Sequence, residues 1–121
     1  MYNYNEVSAD SIEYIKVAKV NDLDDGDRLF VEIDDLDIVV FKIAGDFFAI
    51  GDVCSHDDGP LGDGEVEEFN VICPRHGARF DLRSGQVTSL PAVTDIPAFP
   101  VQVSGNDIEI GIPFDEESLN E

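Results

Sequence analysis

Two short stretches contain the residues that could do chemistry. In "CSHDDGPLGDG" (54–64) Cys54 and His56 stand two positions apart, and in "CPRHG" (73–77) Cys73 and His76 stand three apart. Sixteen residues separate His56 from Cys73. Each stretch offers one sulfur that can ionise and one imidazole, set among glycines and prolines that permit tight backbone geometry. Singly such residues say little, because a lone cysteine is usually a small hydrophobe and a lone loop histidine is usually solvated. Four of them at this spacing make coincidence a poor explanation. A zinc finger groups two cysteines and then two histidines, whereas here each arm mixes the types. Mixing suits a binuclear centre in which the cysteines take one metal and the histidines the other, clasped from two sides. A mononuclear zinc site on the same residues stays open.

The elements that must position these arms read as strands. Period-two alternation, the mark of half-buried strands, runs through "IEYIKVAKV" (12–20), "RLFVEI" (28–33) and "DIVVFKIA" (37–44). Gly26 in "DDGD" and Gly45 in "AGD" stand where turns need a left-handed backbone, and "FFAI" (47–50) then closes a hairpin with the preceding strand. Near the end "IPAFPVQV" (96–103) and "DIEIGI" (107–112) flank the turn "SGND". Pro97 and Pro100 predict an edge or irregular strand there, since proline cannot donate to a ladder. No segment keeps a 3.6-residue apolar period over three turns, so almost no helix is expected. Between 51 and about 92 the pattern changes to glycine-rich loops with brief strands in "EVEEFNVI" and "ARFDL". The expected fold is all-β: an antiparallel sandwich or partly open barrel with an inserted, loop-rich subdomain at 51–92. Residues 1–121 are expected to form a single domain with frayed termini at 1–10 and 113–121.

Composition narrows the partners. A net charge of −20, from 27 acidic and 7 basic residues, repels nucleic acid and anionic membrane. It either steers the chain toward a basic protein surface or serves only as a solubilising coat, as in high salt. No apolar run approaches the roughly 20 residues of a membrane span, and "MYNYNEVSAD" has no export signal, so a cytoplasmic location is expected. Two cysteines allow at most one disulfide, and in a reducing compartment thiols beside histidines more often bind metal. Arg75, Arg79 and Arg83 crowd around the second arm, either as ordinary hairpin arginines or as a device that moderates the field near a negative site.

The two arms closely resemble the ligand boxes of the Rieske iron–sulfur family, "CSHDDGPLGDG" the first and "CPRHGARFDLRSGQV" the second, with "LPA" and "IPAFPVQV" following in the expected order. The likeness covers roughly residues 12–112. It implies a [2Fe–2S] cluster with Cys54 and Cys73 on one iron and His56 and His76 on the other. Members span roughly −150 to +300 mV, against about −400 mV for plant-type ferredoxins. High-potential members add a disulfide and two hydroxyl donors to the cluster's sulfurs. At the matching positions this chain has Gly59 and Arg75, and Ala78 and Phe80, so the low end of the range is expected. Asp57 and Asp58 would push the same way if they face the cluster. The glycines at 59, 62, 64 and 77 are expected to let amides approach the sulfides, Pro60 and Pro74 to stiffen the loops, and Leu61 and Phe80 to give apolar cover. The resemblance further implies a one-electron carrier that does no bond chemistry. It would be a monomer docking transiently between a reductase and an oxygenase, with the outer edges of His56 and His76 exposed. The alternatives are the small subunit of a larger reductase, as in nitrite reductases, and a zinc-stabilised interaction module.

Overall fold

Turn chemistry sets the hairpins from which the chain is built. The computed structural model describes residues 12–33, 36–52, 61–74, 77–89 and 96–113. β1 (Ile12–Lys19) is followed by a 3-10 turn (Val20–Asp22), and then by the consecutive antiparallel strands β2 (Arg28–Ile33), β3 (Leu36–Ile43) and β4 (Asp46–Gly51). The β3–β4 connection is the two-residue loop Ala44-Gly45, with Ile43 paired to Asp46. Both loop residues have positive φ, 54° and 85°, the geometry that matches the twist of a tight hairpin. At the other end of the chain Gly105, at φ 63°, turns β10 (Val101–Ser104) into β11 (Asp107–Pro113).

Three antiparallel sheets result. β1, β11 and β10 form the first, and β2, β3, β4 and the short β9 (Ala98–Phe99) form the second. The third is built from β5 (Val66–Glu67), β6 (Asn70–Ile72), β7 (Arg79–Asp81) and β8 (Val87–Ser89). The antiparallel all-β expectation holds, no sheet closes into a barrel, and the only helical piece among the described residues is the 3-10 turn. The third sheet falls inside the segment expected as an inserted subdomain. The expected frayed ends lie outside the described residues except at Pro113, which extends β11 opposite Ile12.

One expectation changes. "IVVF" (38–41) was to be half-buried, yet all four residues are buried. Ile38 and Val40 pack with Ile108, Ile110 and Phe99 in a core shared with the first sheet. Val39 and Phe41 pack with Ile50, Val71, Phe80 and Cys73 in a second core shared with the third sheet. β3 therefore belongs to a middle layer, which is why its apolar residues run on without alternating. The prolines have the predicted consequence in a sharper form: Pro100 divides "IPAFPVQV" between β9, at the edge of the middle sheet, and β10, at the edge of the first. The Gly111 amide donates to the Pro100 carbonyl at 2.8 Å, and a β-carbon on Gly111 would stand 2.7 Å from Pro100 Cγ.

Candidate metal centre

The second arm is the tip of the β6–β7 hairpin. Val71 pairs with Phe80 and Ile72 with Arg79, and the ladder continues one step further as the Cys73 amide donates to the Ala78 carbonyl at 2.7 Å. The Gly77 amide donates back to the Cys73 carbonyl at 3.0 Å, with Gly77 at φ 77°, a conformation open to glycine at little cost. Cys73 is thereby fixed at the root of a four-residue tip. Its residue is 2% exposed, in one core with Leu61, Val71, Ala78 and Phe80. His76 and Arg75 belong to that tip and lie outside the described residues.

The first arm leaves the middle sheet at the end of β4. Cys54 and His56 lie outside the described residues, as do Asp57, Asp58, Gly59 and Pro60, but both feet of their loop are defined. On the near foot the Asp52 amide donates to the Asp37 carbonyl at 2.8 Å. From the far foot the amides of Leu61 and Gly62 donate to Asp52 Oδ1 at 2.9 and 2.6 Å. One carboxylate oxygen thus draws the ends of the loop together. Arg28 of β2, its guanidinium 4.9 Å from the Phe41 ring centre, donates through Nη1 to the carbonyls of Gly62 and Gly64.

The two arms meet at Gly64. A β-carbon there would stand 1.8 Å from the Ile72 carbonyl oxygen, and the Ile72 amide donates to the Glu65 carbonyl at 2.8 Å. Beside this junction is a hollow of about 370 Å³ lined by residues that include Asp63, Gly64, Ile72, Cys73, Pro74 and Gly77. Cys73 lines this hollow at the root of a glycine-turned tip, beside a side-chain-free approach of two backbones, a place from which its sulfur fits a metal-held group. Gly62 and Gly64 make room for the Phe30 ring and the Ile72 carbonyl. A third segment is tethered close by, the Ile96 amide donating to the Gly85 carbonyl at 2.8 Å, while "LPA" (90–92) lies outside the described residues.

Two of the three arginines near the second arm, Arg79 and Arg83, are engaged by carboxylates, and Arg75 lies outside the described residues. Arg79 Nη1 lies 2.8 Å from Glu67 Oε1. Arg83 grips Asp81 through Nε and Nη2 at 3.0 and 2.8 Å and lies 4.6 Å from the Phe69 ring centre. The hydrogen-bonded Arg83 guanidinium holds the Asp81 carboxyl below its ordinary value of 3.8, against the opposing effect of burial. That stabilisation is complete above the ordinary value and is lost as the pH falls through the lowered one. Of the two readings of these arginines, Arg79 and Arg83 fit the structural one. Asp52 and Arg28 were missed in the sequence. Asp52, two positions before Cys54, was visible there; Arg28, 34 positions before Gly62, gave no local signal.

The described residues form a three-layered antiparallel β-protein whose small third sheet presents a buried cysteine beside the foot of a second loop. The chain belongs to the Rieske [2Fe–2S] domain family, whose model matches residues 13–100. It is 36% identical over 100 residues to the 3-phenylpropionate/cinnamic acid dioxygenase ferredoxin subunit of Escherichia coli (strain K12), covering 82% of this chain and 93% of that one. Among solved structures it is similar to the ferredoxin of carbazole 1,9a-dioxygenase from Nocardioides aromaticivorans IC177, at TM-score 0.76 and 30% identity, covering 80% of this chain and 95% of that one. A candidate NADH-dependent nitrite reductase small subunit from Mycobacterium tuberculosis has TM-score 0.75 at 21% identity, covering 84% of this chain and 96% of that one, and so shares the fold alone. The cofactor is a [2Fe–2S] cluster, and the protein is an electron carrier that does no bond chemistry itself. No helix among the described residues is long and apolar enough to cross a membrane.

Proposed function

We propose that this chain is a cytoplasmic, monomeric Rieske ferredoxin that passes single electrons from a reductase to an oxygenase in brief encounters. Cys54 and Cys73 hold one iron and His56 and His76 the other. The observation that carries this reading is the position of Cys73, buried at the root of a hairpin tip whose next turn contains His76, against the far foot of the loop that contains Cys54 and His56. The cluster supplies the uptake and release of one electron. The chain's own residues exclude water on one side through Leu61, Val71 and Phe80 and hold the thiol of Cys73 in place. Oxygenase partnership is supported by the two dioxygenase ferredoxins, which this chain matches over nearly their whole length. Ala78 and Phe80 are buried and have no hydroxyl to donate to sulfur, which supports a potential at the low end of the family range.

The test begins with purified protein, which should hold two irons and two acid-labile sulfides per chain and bleach reversibly by one electron. His56→Ala and His76→Ala should each abolish the native chromophore. Mixing the reduced protein with a Rieske oxygenase component should reoxidise it at a rate that falls with added salt, because charge steering is screened over about 10 Å at 0.1 M. An unchanged spectrum in either histidine variant sinks the ligand assignment. Failure to reduce any oxygenase component sinks the proposed partner.

A further inference from the structure

The turn 61–64, closed by the Gly64 amide donating to the Leu61 carbonyl at 3.0 Å, is gripped on both sides of its peptides. Its leading amides converge on one oxygen of Asp52, and its carbonyls at Gly62 and Gly64 converge on one nitrogen of Arg28. The groups come from three places in the chain: the end of β4, the edge strand β2 and the returning loop. Closing a loop requires no such convergence, and the placement of the turn has a consequence beyond closure. At its end, Gly64 rests on the carbonyl of Ile72, the residue before Cys73. A continuous line of contact therefore runs from Asp52 and Arg28 through the turn to the root of the second arm.

We infer that Asp52 and Arg28 are positioning residues that set the spacing of the two ligand arms, and through it the retention and electronic structure of the cluster. The inference rests on the ligand assignment proposed above. Hydrogen-bonded partners outside the ligands orient them, and losing such partners typically weakens metal binding by 10- to 100-fold. The clasp acts through the position of its oxygen and nitrogen atoms, so the shape of the replacement matters as much as its charge. Asp52→Asn retains an oxygen that can accept both amides and loses only the charge. Asp52→Ala loses both. Arg28→Met keeps an unbranched apolar side chain but loses the guanidinium over Phe41 and both donations.

The experiment compares these three variants with the wild-type holoprotein. It measures iron release to a chelator, the electron paramagnetic resonance of the reduced cluster and the reduction potential, with far-ultraviolet circular dichroism as the check on folding. Wild-type iron content and resonance test the ligand assignment first, independently of the clasp. Asp52→Ala and Arg28→Met should fold and release iron about tenfold faster or more, with altered g-values. Asp52→Asn should release iron at close to the wild-type rate with native g-values, sharing with Asp52→Ala only the potential shift that follows from loss of charge. Native g-values and iron release in both Asp52→Ala and Arg28→Met would overturn the inference. So would Asp52→Asn behaving like Asp52→Ala, since charge and not position would then be at work. If Asp52→Ala does not fold, the contrast between Arg28→Met and Asp52→Asn decides on the same criteria.

Discussion

Gly64 and Gly62 sit two positions apart in one turn, yet a methyl group at each meets a different kind of neighbour. At Gly64 it would run into a backbone carbonyl 1.8 Å away, which can yield only by separating the turn from β6. At Gly62 the nearest atoms all belong to side chains: the edge of the ring of Phe30, a residue 47% exposed, at 2.6 Å, then Asp52 Oδ1 at 3.0 Å and Cβ of the buried Val39 at 3.1 Å. Gly64→Ala should therefore destabilise the protein by about 3 kcal/mol and hasten iron loss, whereas Gly62→Ala, which displaces side chains only, should cost about 1 kcal/mol and hasten iron loss less. Urea melts and chelator-driven iron release measure both, and equal costs at the two positions would contradict the packing described. Both glycines could be picked out in the sequence as functional, but the surfaces they approach could not. A glycine advertises a close approach or an unusual φ without naming its neighbour, and Ile72 and Phe30 are brought there by strands from elsewhere in the chain.

At the scale of elements, β3 separates the two halves of the molecule. Its residues alternate between a core shared with the first sheet and a core that includes Cys73. Ile38→Ala and Phe41→Ala should each lower the urea midpoint, by about 3 and about 4 kcal/mol respectively in unfolding free energy. Their effects on the cluster should differ. Phe41 shares a core with Cys73 and stacks beneath the Arg28 guanidinium, so its loss should also accelerate iron release; Ile38 faces away, and its loss should not do so at denaturant concentrations where the protein stays folded. Equal acceleration in both variants would show that the two cores are not independent. Its β-rich run between the turns at Gly26 and Gly45 identified this segment as a strand. Which layer it occupies could not be read there, because burial on the second face is supplied by a sheet assembled from residues 66–89.

For the whole molecule the dominant physical quantity is its charge. At −20 on 121 residues the folded state holds like charges closer together than the unfolded chain does, and screening relieves that repulsion. The Debye length falls from about 30 Å at 0.01 M salt to about 3 Å at 1 M. A relief of about 2 kcal/mol would raise Tm by roughly 8 °C for a domain of this size. Circular dichroism melts of the holoprotein in potassium chloride should show at least that rise between the two concentrations, while an equal osmolality of sucrose should reproduce little of it. A Tm indifferent to salt would mean that the acidic surface is too widely spread to strain the fold, leaving partner steering and solubility as its remaining roles.

Local chemistry was enough to settle the strand-rich character, the glycine turns at 26, 45 and 105, and the two mixed Cys/His arms with the family they indicate. Each of these depends on residues within a few positions of one another, where backbone sterics and ligand spacing act directly. The middle-layer place of β3, the exchange of sheets at Pro100 and the grip of Arg28 and Asp52 on the turn 61–64 arise only when the chain is folded. Each joins groups that are distant in sequence and have no mutual signature there, and they become neighbours because burying both faces of the middle sheet leaves the strands little choice of partner.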